Sequence, residues 1–150
     1  MLYQLLVIVH LLGASVWVGG HLVLVLGVLP RALRAGDAGP VAAFERAYGR
    51  VGLSAMVAQL VTGIWLADRW LGGWKHVFSE PTPSTHRVFI KLGLVVATLL
   101  VGGYAYHKVV PKLASGPEGL RRFAVHAWIT TALAIGLVVA GGSIRMGGPL

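Results

Sequence analysis

Leu2–Leu29 reads LYQLLVIVHLLGASVWVGGHLVLVLGVL, without a single Lys, Arg, Asp or Glu. An uncharged apolar run of this length exceeds the roughly 20 residues a helix needs to cross a ~30 Å hydrocarbon core. Its conspicuous polar interruptions are His10 and His21. At about 100° and roughly 1.5 Å per residue, the two return to nearly one helical face and lie about 16 Å apart. Imidazoles are costly in hydrocarbon, so two on one stripe point to a shared task.

The rest of the 150-residue chain repeats the apolar theme. It is 56% hydrophobic and 12% charged, the balance of an integral membrane protein. Four spans are predicted, at about 2–29, 51–67, 88–106 and 123–144. The expectation is therefore one all-α membrane domain over 1–150, an antiparallel four-transmembrane-helix bundle. The first span is too long for a signal-peptide core and lacks a basic flank before it. Pro30 is expected to close it, with a loop at Ala35–Pro40 and a short amphipathic helix over about Val41–Arg50. Pro81–Ser84 breaks the chain before the third span, Pro111 ends that span, and Ser115-Gly116-Pro117 turns into the fourth.

The formal charge of +8 sits at span ends, where anionic lipid headgroups rather than nucleic acid are the natural counterions. The connections after the first and third spans carry Arg31, Arg34, Arg46, Arg50, Lys108, Lys112, Arg121 and Arg122. The opposite side carries Arg69, Lys75, Arg87, Lys91 and Arg145. The positive-inside rule then places the first set in the cytoplasm and both termini outside, in an inner-membrane protein. Gly13, Gly20 and Gly27 recur every seven residues, a row that suits close helix packing and could also leave room for a flat ligand.

Antiparallel spans sort the histidines by depth. His10, His86 and the loop residue His76 fall towards the outer side, and His21, His107 and His126 towards the inner side. A bis-histidine haem needs two imidazoles from separate helices facing across a slot. His10 with His86, and His21 with His107 or His126, are the candidate pairs for one or two haem b groups. Lys91, a few residues into the third span, either snorkels or meets an anionic group such as a haem propionate, and Arg145 is a second such candidate. Each histidine also has a plain reading: a solvated loop for His76, an interfacial helix start for His86, and a C-terminal dipole contact for His107.

Other metals are less well supplied. The chain has no cysteine and three methionines, so soft ligands for a Cu(I) path are scarce, although imidazoles suit copper. No His-x-x-x-His pair suggests zinc, and the predicted spans hold no carboxylate.

The stretch His10-Leu11-Leu12-Gly13-Ala14-Ser15-Val16-Trp17-Val18-Gly19-Gly20 resembles the first helix of the CopD copper-resistance membrane domain. Leu29-Pro30-Arg31, Val61-Thr62-Gly63 and Lys91-Leu92 are similar to later parts of that pattern. The same residues also resemble HemJ, the four-helical, haem b-binding membrane protoporphyrinogen oxidase family, through Met1-Leu2-Tyr3, His10, Trp17, Gly20, Pro30-Arg31, Thr62-Gly63-Ile64-Trp65-Leu66 and Lys91-Leu92. That likeness implies roles for His10 and Lys91. The last span departs from it, lacking the Asn-Glu-x-Pro motif and carrying Arg122 and His126 instead.

The leading expectation is a CopD-type membrane b cytochrome that passes electrons across the membrane or between quinol and an external redox protein, which leaves open an oxidoreductase activity. Copper binding or transport is the main alternative, and HemJ-like porphyrinogen oxidation a third. Partners are the bilayer and a possible second copy of the chain.

Overall fold

The computed structural model of the chain describes the backbone of residues 1–76 and 83–146, and side chains over 1–75 and 85–143. Five α-helices follow in order: α1 (Leu2–Leu22), α2 (Leu29–Ala35), α3 (Gly39–Trp70), α4 (Pro83–Tyr104) and α5 (Pro117–Met146). A π-helical turn, Val23–Val28, joins α1 to α2 without breaking the rod. A second, Ala105–Val109, extends α4 into a short 3-10 turn at Val110–Lys112. Four rods result, Leu2–Ala35, Gly39–Trp70, Thr85–Lys112 and Pro117–Ser143, each long and apolar enough to span a membrane. The protein is an all-helical, multi-pass membrane protein in contact with lipid.

Both π turns have the same cause. Each stops two residues before a proline, Pro30 in one case and Pro111 in the other. Proline lacks an N–H, and in an α-helix its ring strikes the carbonyl four residues back. The wider turn relieves that clash: the Leu29 N–H donates to the Leu24 carbonyl, and the Val110 N–H to the Ala105 carbonyl. Pro30 was expected to end the first span. Instead the rod continues to Ala35 and ends where Gly36 turns left-handed at φ 64°. The expected short helix at Val41–Arg50 is likewise continuous with the second span, because nothing between Pro40 and Arg50 interrupts the ladder. Pro83 and Pro117 begin α4 and α5, as their turn chemistry predicts.

Packing is uneven along the bundle. α1 lies against α3 and α4 against α5, and the two hairpins are held together chiefly through α1 and α5. At the basic end a close-packed core gathers Leu24, Val25, Leu29, Ala32, Val41, Val109, Leu113, Leu120, Phe123, Ala124 and Ala127. Toward the other end α3 and α4 barely meet, and the bundle stays hollow.

The α1–α3 seam shows what the glycine row does. Gly13 is buried, and a Cβ there would sit 3.0 Å from Gln59 Nε2 and 3.3 Å from the Ala55 carbonyl oxygen. Gly20 and Gly52 make room for the Tyr48 ring: a Cβ on Gly20 would overlap it, and one on Gly52 would come within 2.7 Å. The Tyr48 hydroxyl crosses the seam to donate to the Val16 carbonyl at 2.9 Å. Gly27 faces open space. Two of the three glycines thus serve helix packing, and none of the three lines the hollow.

Candidate functional site

The hollow is a cavity of about 430 Å³ between α1, α3, α4 and α5. Its wall runs from Tyr3 to Val18 on α1, from Trp70 to Met56 on α3, from Val88 to Leu99 on α4 and from Gly142 to Ala134 on α5. At roughly 1.5 Å per residue it reaches some 20 Å inward from the Tyr3 and Trp70 end. The lining is overwhelmingly apolar, and the groups with chemistry in it are His10, Lys91, Met56, Gln59 and Thr98.

His10 is held in one tautomer. The Thr62 hydroxyl donates to the Ala58 carbonyl at 2.6 Å, so its oxygen is left to accept from the His10 ring. His10 Nδ1 lies 2.8 Å from that oxygen and therefore carries the proton. Nε2 is left with a lone pair, and among the described residues nothing bonds to it. Gln59 fixes the backbone beneath by donating its side-chain amide to the His10 carbonyl. Gly63 gives the ring its place: a Cβ there would stand 3.1 Å from His10 Cε1. Helix α1 thus supplies the imidazole, and α3 supplies three residues that orient it.

Lys91 turns inward from α4. Its ammonium reaches α5, where a Cβ on Gly141 would be 3.2 Å from Nζ. It also lies within electrostatic reach of His10. Among the described residues no carboxylate pairs with it.

The other histidines lie elsewhere. His21 packs in the α1–α3 seam, its Nδ1–H donating to the Trp17 carbonyl at 2.8 Å and its ring edge-on to Tyr48 at 6.3 Å. His126 donates from Nδ1 to the Arg122 carbonyl at 2.8 Å and stacks on Tyr104 at 5.4 Å. His107 is exposed within the second π turn, edge-on to Tyr106. His86 is exposed at the start of α4 and does not line the cavity. The side chains of Arg145 and His76 lie outside the described residues, as do Pro81 and Thr82.

Among the described residues, no three His, Cys, Asp or Glu side chains converge. Among the described residues His10 is the one imidazole on the cavity wall, so they do not assemble the facing pair that bis-histidine haem requires. The expectation of haem b finds no support in this arrangement. Gln59, Gly63 and Gly141 are the residues that sequence reasoning undervalued: a glutamine inside a span was a visible signal, and a glycine facing a polar side chain was not.

A bundle of four membrane-spanning rods, with a lysine and a histidine on the wall of one cavity, defines a multi-pass membrane protein. The chain belongs to the CopD family: the sequence profile for copper resistance protein D matches residues 42–144. The match takes in Thr62, Gly63 and Lys91 and leaves out α1 with His10 and His21. No curated protein and no solved structure matches the chain. The HemJ likeness rests on its short motifs alone.

Proposed function

We propose that this CopD-family chain handles copper in the membrane, with His10 Nε2 as the first donor the ion meets inside the cavity. The observation that carries this reading is the Ala58–Thr62–His10 chain of hydrogen bonds, which leaves Nε2 unprotonated on a residue that lines the cavity. Metal-binding imidazoles are typically oriented this way, the second ring nitrogen donating to a fixed acceptor. Imidazole and thioether are ligands copper accepts, the thioether favouring Cu(I). Met56 supplies the thioether on the same wall.

Spacing makes these donors successive stations. Met56 is seven residues before Gly63, the neighbour of His10, so it lies roughly 10 Å along α3. His21 follows beyond the cavity, again with Nδ1 donating and Nε2 free as a donor. Stations at this separation suit an ion that moves along the α1–α3 seam better than one held in a single cage. With the termini outside, as the charge asymmetry predicts, the Tyr3 and Trp70 end of the cavity faces the external side and the path leads inward.

Cells expressing the chain in copper-rich medium test this. Purified wild-type protein is expected to carry copper, His10→Ala to lose most of it, and neither to show a Soret band. Copper-free protein, or a Soret band in its place, overturns the reading and returns the haem alternative.

A further inference from the structure

The cavity is far larger than an ion needs, and its volume of about 430 Å³ lies in the range of roughly 300–1,000 Å³ typical of sites for organic molecules. Its wall is almost wholly apolar, yet it contains the Lys91 ammonium with no carboxylate partner among the described residues. A charge withdrawn from water without a counter-charge is costly, so such a site selects an anionic occupant. Gly141 faces the ammonium: a Cβ there would stand 3.2 Å from Lys91 Nζ. Inward of Lys91 the wall turns to Val95, Leu99 and Leu137, about 12 Å of hydrocarbon counted along α4. Among the described residues α3 and α4 barely meet, and both line the cavity, so the line between them is the natural way in from the bilayer.

We propose that this cleft binds a long-chain carboxylate drawn from the membrane, its head on Lys91 and its single tail laid inward between α4 and α5. The head answers Lys91 by charge, the tail answers the apolar wall by burial, and the gap between α3 and α4 admits the molecule without passage through water. A neutral amphiphile satisfies the wall but leaves the ammonium bare, so the site discriminates by charge. The inference stands apart from the copper reading, since the head is held by Lys91 and the metal by His10. A carboxylate there also screens the ammonium from an incoming cation.

Dibromostearate, whose bromines quench tryptophan on contact, reads binding through Trp17 and Trp70 on the cavity wall. With purified full-length protein in detergent, quenching is expected to saturate, and Trp17→Phe to remove part of it. The matching dibromo-alcohol is expected to bind at least about tenfold more weakly, as loss of a buried charge contact requires. Lys91→Met should bring the carboxylate down to the affinity of the alcohol, and Lys91→Arg should keep it. Equal binding of acid and alcohol to the wild type overturns the proposal, even if Lys91→Met does not fold. So does a folded Lys91→Met that binds the acid unchanged. Copper content measured on the same preparations separates the two readings: its absence with saturable acid binding counts against copper alone.

Discussion

Two side chains from different helices give the cavity its chemistry, and their neighbours explain how. His10 owes its free nitrogen to a threonine whose own proton is committed to the Ala58 carbonyl. Thr62→Val keeps the shape and removes the acceptor, so the ring is released and its tautomer is no longer fixed. Copper affinity should fall about 10–100-fold, the usual cost of losing an orienting partner. Competition titration against a Cu(I) chelator checks this, and an unchanged affinity would mean that the hydrogen bond does not serve a metal. Sequence pattern exposed His10 and Lys91 as anomalies in apolar spans, and both line the cavity. It could not rank the six histidines by partner, because periodicity gives a face and a depth but not which neighbouring helix presents a carbonyl or a hydroxyl. That is why His86 is the candidate partner of His10 on sequence although it does not line the cavity.

Between helices, the decisive contact is Tyr48 pressed against Gly20 and Gly52. Its hydroxyl bonds to the Val16 carbonyl and its ring stacks on Phe44 at 5.2 Å. Tyr48→Phe should cost about 0.5–1.5 kcal/mol, the worth of one intramolecular hydrogen bond. Gly20→Val forces the ring out and should cost about 1–3 kcal/mol or more, as overpacking does. Thermal unfolding in detergent ranks the two, and a neutral Gly20→Val would show that the seam can open freely. The seven-residue glycine spacing disclosed this seam before the partner ring was known. One proline misled in a different way. Pro30 reads as a helix end, yet a π turn absorbs it and the rod runs on to Ala35, with Leu29 and Ala32 packed into the core at the basic end; Pro111 does end its rod, at Lys112. Local breaker rules do not contain that packing energy.

For the molecule as a whole, the close-packed basic end and the hollow opposite end form one asymmetric bundle. Eight basic residues after the first and third spans against five on the other side predict both termini outside. Alkaline phosphatase fused to either end should be active and a fluorescent protein fused there dark; the reverse pattern would invert the proposed direction of the copper path. The number of spans and their antiparallel order were legible from hydropathy alone. The cavity was not, because it depends on how four rods pack, among whose described residues α3 and α4 barely meet, and no local pattern records that. The central claim is that a copper ion is ligated by His10. X-ray absorption at the copper edge of loaded wild-type protein and of His10→Ala tests it most directly. The account predicts imidazole scattering in the wild type that is lost in His10→Ala; an identical spectrum in both proteins would contradict it.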